Sequence, residues 1–162
     1  MIRKVRKEDA KQIAAIYNEY VLNGTQSFET EPLSDEDILD RIAAISSRFP
    51  YYVYEDDSRI AGFCYAHLWK ERAAYGKTLE TTVYLSPEYK RRGIGTKLME
   101  RLINECRKQG YKALIACITG ENEESQLMHE KLGFRQVSRF EKVGIKFGTE
   151  LDVVDYELLL SE

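Results

Sequence analysis

The chain predicts a mixed α/β domain, and three observations carry that prediction. Apolar residues recur every three or four positions in several segments, as amphipathic helices require. Between them lie short runs rich in β-branched and aromatic residues, the composition of strands. Gly, Pro, Asn and Asp mark most of the boundaries.

The elements follow in order. A short strand at residues 2–5 leads to a helix on which Ile13, Ile16, Tyr17, Tyr20 and Val21 form one stripe. Glu8 and Asp9 stand in its first turn, where the helix dipole favours anions, and Asn23-Gly24 ends it. Ser34, with Asp37 three residues on, opens a second helix carrying Ile38, Ile42 and Ile45. Tyr51–Tyr54 and Ile60–Leu68 read as a hairpin turning at Asp56-Asp57-Ser58. Thr78–Leu85 is a further strand, ended by Pro87. After Gly93-Ile94-Gly95 a helix aligns Ile94, Leu98, Leu102 and Cys106 and closes at Gly110. The uninterrupted run 113–118 reads as a strand covered on both faces. A helix over 123–132, capped by Gly133, precedes closing strands at 134–140 and 151–160. With 162 residues and no linker or repeat, one domain over residues 1–162 is expected.

Composition excludes several classes. An apolar content of 43% suits a globular core, ruling out a disordered segment or a cysteine-stapled mini-protein. Twenty-seven acids against 24 bases give a net charge of −3, which argues against a nucleic-acid partner. The charged start Arg3-Lys4-Val5-Arg6-Lys7 lacks a signal-peptide apolar region, and no stretch approaches the roughly 18 apolar residues of a membrane span. Cys64, Cys106 and Cys117 are scattered and odd in number, as reduced thiols of a cytoplasmic protein are. His67 and His129 form no ligand-spaced cluster with them, so no metal is expected.

The segment richest in chemistry runs from Thr82 to Thr96, placing the glycine-rich basic turn Lys90-Arg91-Arg92-Gly93-Ile94-Gly95 between a strand and a helix start. Such a turn suits an anion: glycines let the backbone approach closely, N–H groups point outward, and the helix dipole adds positive character. The dinucleotide fingerprint is excluded because Leu98 stands where its third glycine belongs, and the Walker pattern because only Ile94 separates the glycines. A solvated basic turn capping a helix is the plain alternative.

The same residues resemble the pyrophosphate motif of the GNAT acetyltransferases, (Gln/Arg)-x-x-Gly-x-(Gly/Ala), with Lys90 at a first position where charge is kept. Within that family the chain is similar to the phosphinothricin and methionine sulfoximine acetyltransferase branch from Ile2 nearly to its end. The resembling segments are Ile16-Tyr17-Asn18-Glu19, Ser27-Phe28-Glu29-Thr30-Glu31-Pro32, Thr82-Val83-Tyr84-Leu85, 127–134 and 143–148. The resemblance implies a GNAT fold, with a mixed central sheet flanked by helices on both faces. It implies acetyl-CoA as cosubstrate, a small amino-acid-like amine as acceptor, direct transfer in a ternary complex, and a homodimer.

Site roles follow from that resemblance. Backbone groups of Val83, Tyr84 and Leu85 would pair with the pantetheine arm, and Arg91, Arg92, Gly93, Ile94, Gly95 and Thr96 would cradle the pyrophosphate. Asn122 would contact the cofactor, and it is also suited to cap the last helix. Glu80 is the implied general base, since attack needs a neutral amine and a partly buried carboxylate can take its proton. Strand alternation sets Glu80, Thr82 and Tyr84 on one face. His129 stands where many relatives place an acid for the CoA thiolate; it serves that step or packs beside the cofactor. Arg72 suits a bidentate contact with the acceptor carboxylate. Phe28, Glu29 and Tyr75, with Glu80, Thr81 and Thr82, resemble walls of the acceptor pocket. Lys146 and Phe147 lie in a segment that closes over the site in relatives. None of the three cysteines stands near the end of the motif strand. The alternatives left open are another acceptor amine, such as a polyamine, another amino acid or a protein N-terminus, and a non-catalytic acetyl-CoA-binding module.

Overall fold

A computed structural model describes residues 1–160; Ser161 and Glu162, the end of the expected domain, lie outside the described residues. Its elements are β1 (Ile2–Lys4), α1 (Ala10–Asn23), α2 (Asp35–Ser46), β2 (Tyr51–Asp56), β3 (Arg59–Leu68), β4 (Thr78–Leu85), α3 (Ile94–Lys108), β5 (Ala113–Thr119), α4 (Glu123–Lys131), β6 (Arg135–Lys146) and β7 (Thr149–Leu159). The seven strands form one sheet in the order β1-β2-β3-β4-β5-β7-β6, antiparallel except for β4 beside β5. The expected order is borne out, with β6 running six residues past Phe140 because it pairs with β7 through two irregular registers.

Local chemistry explains the element starts. Ser34 accepts from the Asp37 N–H while Asp37 accepts from the Ser34 N–H, both at 3.0 Å, so the expected capping box forms. Asp9 stands at the start of α1 as expected, and is also buried, taking two 2.9 Å hydrogen bonds from Arg3 and one from the Arg6 N–H. These bonds hold its carboxyl below the usual range despite burial. The β2–β3 hairpin turns on Asp57 and Ser58 at φ 50° and 70°, the paired positive angles of a type I′ turn.

Two cores sandwich the sheet. On one face α3 buries Leu98, Met99, Leu102 and Cys106 against Leu79, Leu114, Val154 and Tyr156. On the other, α1 and α2 bury Ile13, Ile16, Ile38 and Ile42 against Val53 and Phe63. The second pair of helices packs on β2, β3 and β4. β5 is covered on both faces as its apolar run suggested, except at Cys117, which is exposed where α1 and α2 no longer reach.

Candidate active site

The site begins where the parallel pair separates. β4 and β5 pair only over Thr78–Glu80 and Ala113–Ile115, and then part. The Ser86 N–H bonds the Ala61 carbonyl of β3 at 2.8 Å, so by alternation the N–H and C=O groups of Val83 and the N–H of Leu85 point away from β3, into the gap, while the Leu85 carbonyl accepts from the Tyr20 hydroxyl at 2.5 Å. The backbone groups of Tyr84 turn toward β3, which moves its expected backbone role to its two neighbours. Its hydroxyl instead donates to the Gln26 carbonyl at 3.2 Å.

The gap widens into a cavity of about 490 Å³. One end is formed by the turn before α3. Arg91 and Gly93 take φ 65° and 77°, so the chain folds back on itself just before the helix. No side chain caps α3, which leaves its first N–H groups free of side-chain partners. Gly95 lies under Met128, whose sulfur would sit 3.2 Å from an added Cβ. Thr81 presents a buried hydroxyl with no partner. Exposed amides, a glycine cradle and an orphaned hydroxyl fit a long ligand with an anionic end.

Among the expected cofactor residues, Val83, Tyr84, Leu85, Arg91, Gly93, Gly95, Thr96 and Asn122 line this cavity. Ile94 is buried in the core instead, and Arg92 stacks 5.1 Å from the Tyr89 ring. Lys90 lines the cavity and lies 5.4 Å from the ring of Tyr20. Asn122 caps α4, accepting from the Ser125 N–H at 3.2 Å.

Glu80 stands in the same cavity, opposite His67 across the β3–β4 ladder. Partial burial raises its carboxyl above the usual range, His67 opposes that rise, and Asp155 adds to it. Cys117 of β5 lines the cavity too, close to Glu80 rather than to the end of the motif strand. Its thiol is pushed up by burial and then by Glu80 and Asp155, so it stays protonated. His129 is buried, its ring edge-on to Phe134 at 5.0 Å. Because a carbonyl only accepts, its Nδ1 donates to the Ser125 carbonyl at 2.7 Å. Burial lowers its pKa, leaving a neutral ring whose Nε2 carries no proton to give.

The expected acceptor residues divide. Glu80, Thr81 and Thr82 line the cavity. Arg72 and Tyr75 line a separate surface hollow with Trp69, Lys70 and Glu71. Glu29 is engaged by both Arg41 nitrogens, at 2.8 and 3.0 Å, and by the Tyr17 hydroxyl at 2.6 Å. Phe28 lies over Gly144 and is half exposed. Sequence reasoning missed Tyr20, Gln26, Cys117 and Thr119 as lining residues. Their only signal is polar chemistry at the ends of α1 and β5.

A sheet split between two parallel strands, with an open helix start at one end of the split and a carboxylate in its depth, defines an α/β transferase. Residues 2–154 match the acetyltransferase (GNAT) domain family, and the chain belongs to it. It is 34% identical to a phosphinothricin N-acetyltransferase of Streptomyces viridochromogenes, over 94% of this chain and 83% of that one. It is 33% identical to an L-methionine sulfoximine/L-methionine sulfone acetyltransferase of Salmonella typhimurium, over 99% and 95% of the two chains. Among solved structures, a phosphinothricin acetyltransferase of Sinorhizobium meliloti in complex with acetyl-CoA superposes with a TM-score of 0.97. That likeness covers 100% of this chain and 89% of that one at 33% identity.

Proposed function

We propose that this enzyme moves the acetyl group of acetyl-CoA to the α-amino group of a small amino-acid-like acceptor of the phosphinothricin, methionine sulfoximine or methionine sulfone type. The parting of β4 from β5 carries this reading, because it joins an anion-ready helix start to a carboxylate within one cavity. When bound there, acetyl-CoA supplies the acetyl group as a thioester.

Each residue then has a task. Backbone groups of Val83 and the N–H of Leu85 hold the pantetheine arm as a neighbouring strand would, the Leu85 carbonyl being held by Tyr20. The α3 start, with Lys90, Arg91, Gly93, Gly95 and Thr96, takes the pyrophosphate. Glu80 accepts the proton of the incoming ammonium, for which its raised pKa suits it near neutral pH. The Val83 N–H faces charge that develops on the acyl oxygen during attack. His129 packs the cofactor end, and the departing thiolate takes its proton from water. The protonated Cys117 is no nucleophile, which supports direct transfer in a ternary complex.

We assign the acceptor carboxylate to Arg72, with Tyr75 beside it in their surface hollow. A polyamine-type acceptor is a second reading, favoured by the negative charge that Asp155 adds near Glu80. We also assign a homodimer. Val143, Ile145 and Phe147, alternate residues at and just past the end of β6, are 58–71% exposed, an apolar stripe suited to a second copy. Among the described residues no helix is long and apolar enough to cross a membrane. A cytoplasmic enzyme is the reading that the reduced thiols support.

Thiol release from acetyl-CoA tests this directly. Methionine sulfone and phosphinothricin should give turnover well above background, with peptides giving none. Turnover with polyamines alone would overturn the acceptor, and failure of acetyl-CoA to bind would overturn the whole assignment. Sedimentation at micromolar concentration tests the dimer, which a monomer throughout would exclude.

A further inference from the structure

Residues 24–33 connect α1 to α2 without regular structure, yet three successive carbonyls of this loop are each caught by a side chain from a different strand. Thr119 of β5 donates to the Thr25 carbonyl at 2.6 Å. Tyr84 of β4 donates to the Gln26 carbonyl at 3.2 Å. Lys146 of β6 donates to the Ser27 carbonyl at 2.6 Å and to the Tyr20 carbonyl, at the C-terminal end of α1, at 3.2 Å.

Lys146 is the unusual member of this set. It is only 4% exposed, and loss of hydration lowers its pKa. A buried ammonium is costly unless paired, yet no carboxylate among the described residues forms an ion pair with it. Glu29 acts on it from a distance but pairs with Arg41. Its partners are carbonyl dipoles, one of them at a helix C-terminus where cations are favoured, and the Phe147 ring 5.2 Å away. A methionine would fill the same space without the desolvation cost. What the ammonium adds is a fixed distance between α1, the loop and the end of β6. Gly144, on the same strand, completes the lock, since an added Cβ would meet the Phe28 ring at 2.3 Å.

We infer that Lys146 is a positioning residue for the acceptor: by clamping the Tyr20 and Ser27 carbonyls it fixes the two neighbouring segments that put Tyr20 and Gln26 on the cavity wall. This rests on the acceptor reading above. The cofactor end is built from the β4 tail and the α3 start, which Lys146 does not bond itself; Tyr20 and Tyr84 link the two, donating to the Leu85 and Gln26 carbonyls. Loss of Lys146 therefore acts first on the acceptor and only through these links on the cofactor.

The test compares Lys146→Met and Lys146→Arg for steady-state kinetics and amide hydrogen exchange. Lys146→Met should raise the acceptor KM about tenfold, leave the acetyl-CoA KM within about twofold, and speed exchange of the amides at 25–29. Lys146→Arg, which keeps donors, should restore most of both effects. An unchanged acceptor KM, an equal rise in both KM values, or exchange that quickens evenly over the whole chain overturns the inference. If Lys146→Met does not fold, Thr119→Val releases the neighbouring Thr25 carbonyl. It must show the same KM split in smaller degree, and an even effect on both substrates counts against the clamp. If the wild-type enzyme turns over no amino-acid-like acceptor, the functional reading fails, while local exchange at 25–29 still decides whether the clamp exists.

Discussion

The two ends of the cavity are made from different materials. The α3 end consists of backbone: strand groups of Val83 and Leu85, a turn with two positive φ angles, and uncapped helix amides. The Glu80 end consists of side chains drawn from β4 and β5, beside a loop that side chains hold in place. A backbone site tolerates changes in side-chain identity so long as the chain keeps its path, as Lys90 standing in for Gln or Arg illustrates. A side-chain site is defined by identities and changes with each one. Cofactor choice and acceptor choice are thereby separable within one enzyme.

The sharpest test of that separation is Glu80→Gln. It should lower kcat by about 10²–10⁴-fold, the usual contribution of a positioned base, with acetyl-CoA affinity within about twofold. In the wild type kcat/KM should rise with pH through the elevated Glu80 pKa, and the variant should lose that limb. Stability should move oppositely. A carboxyl whose folded pKa is raised destabilises the fold once pH exceeds that pKa, and is harmless below about pH 4, the unfolded value. Glu80→Gln should therefore raise the melting temperature near pH 8 and leave it unchanged near pH 4. An unchanged kcat would break the comparison at its acceptor end.

Gly93→Ala probes the other end. A Cβ at φ 77° meets no neighbour, so only backbone strain of about 1–2 kcal/mol opposes it. The acetyl-CoA KM should rise about tenfold and the acceptor KM should stay put; a reversed pattern would refute the division. Arg91→Ala is milder. Its side chain is 87% exposed and 3.8 Å from Glu124, so stability should shift by less than about 0.5 kcal/mol. The acetyl-CoA KM should rise about threefold and depend on salt. Smallest of all, Cys117→Ala should change turnover by no more than about twofold, since its thiol stays protonated. Loss of activity would point instead to an acetyl-cysteine relay.

These two materials also explain what the sequence could tell. Helical stripes, the Ser34–Asp37 box and the strand runs are local patterns, so the element order was legible before any coordinate. Gly93-Ile94-Gly95 was legible for the same reason, since a backbone site leaves a compact signature. Cys117 was not, because exposure on β5 depends on where α1 and α2 stop covering the sheet. Lys146 was not, because its partners lie 126 and 119 residues away along the chain. Glu29 was read as a wall residue, but Arg41 and Tyr17 claim its carboxylate through contacts no spacing encodes. The pairing of Asp9 with Arg3 was hidden in the same way, since Arg3 comes from another element.

The split between β4 and β5 has one more consequence. A strand with unpaired amides is ordinarily a hazard, because a stray chain can add to it and seed aggregation. Here the unpaired stretch lies in the middle of the sheet, walled by β5 on one side and roofed by α3 and α4. Only something as slender as a single extended arm can reach it. The enzyme thus keeps an edge permanently ready for one visitor while hiding it from every other protein in the cell.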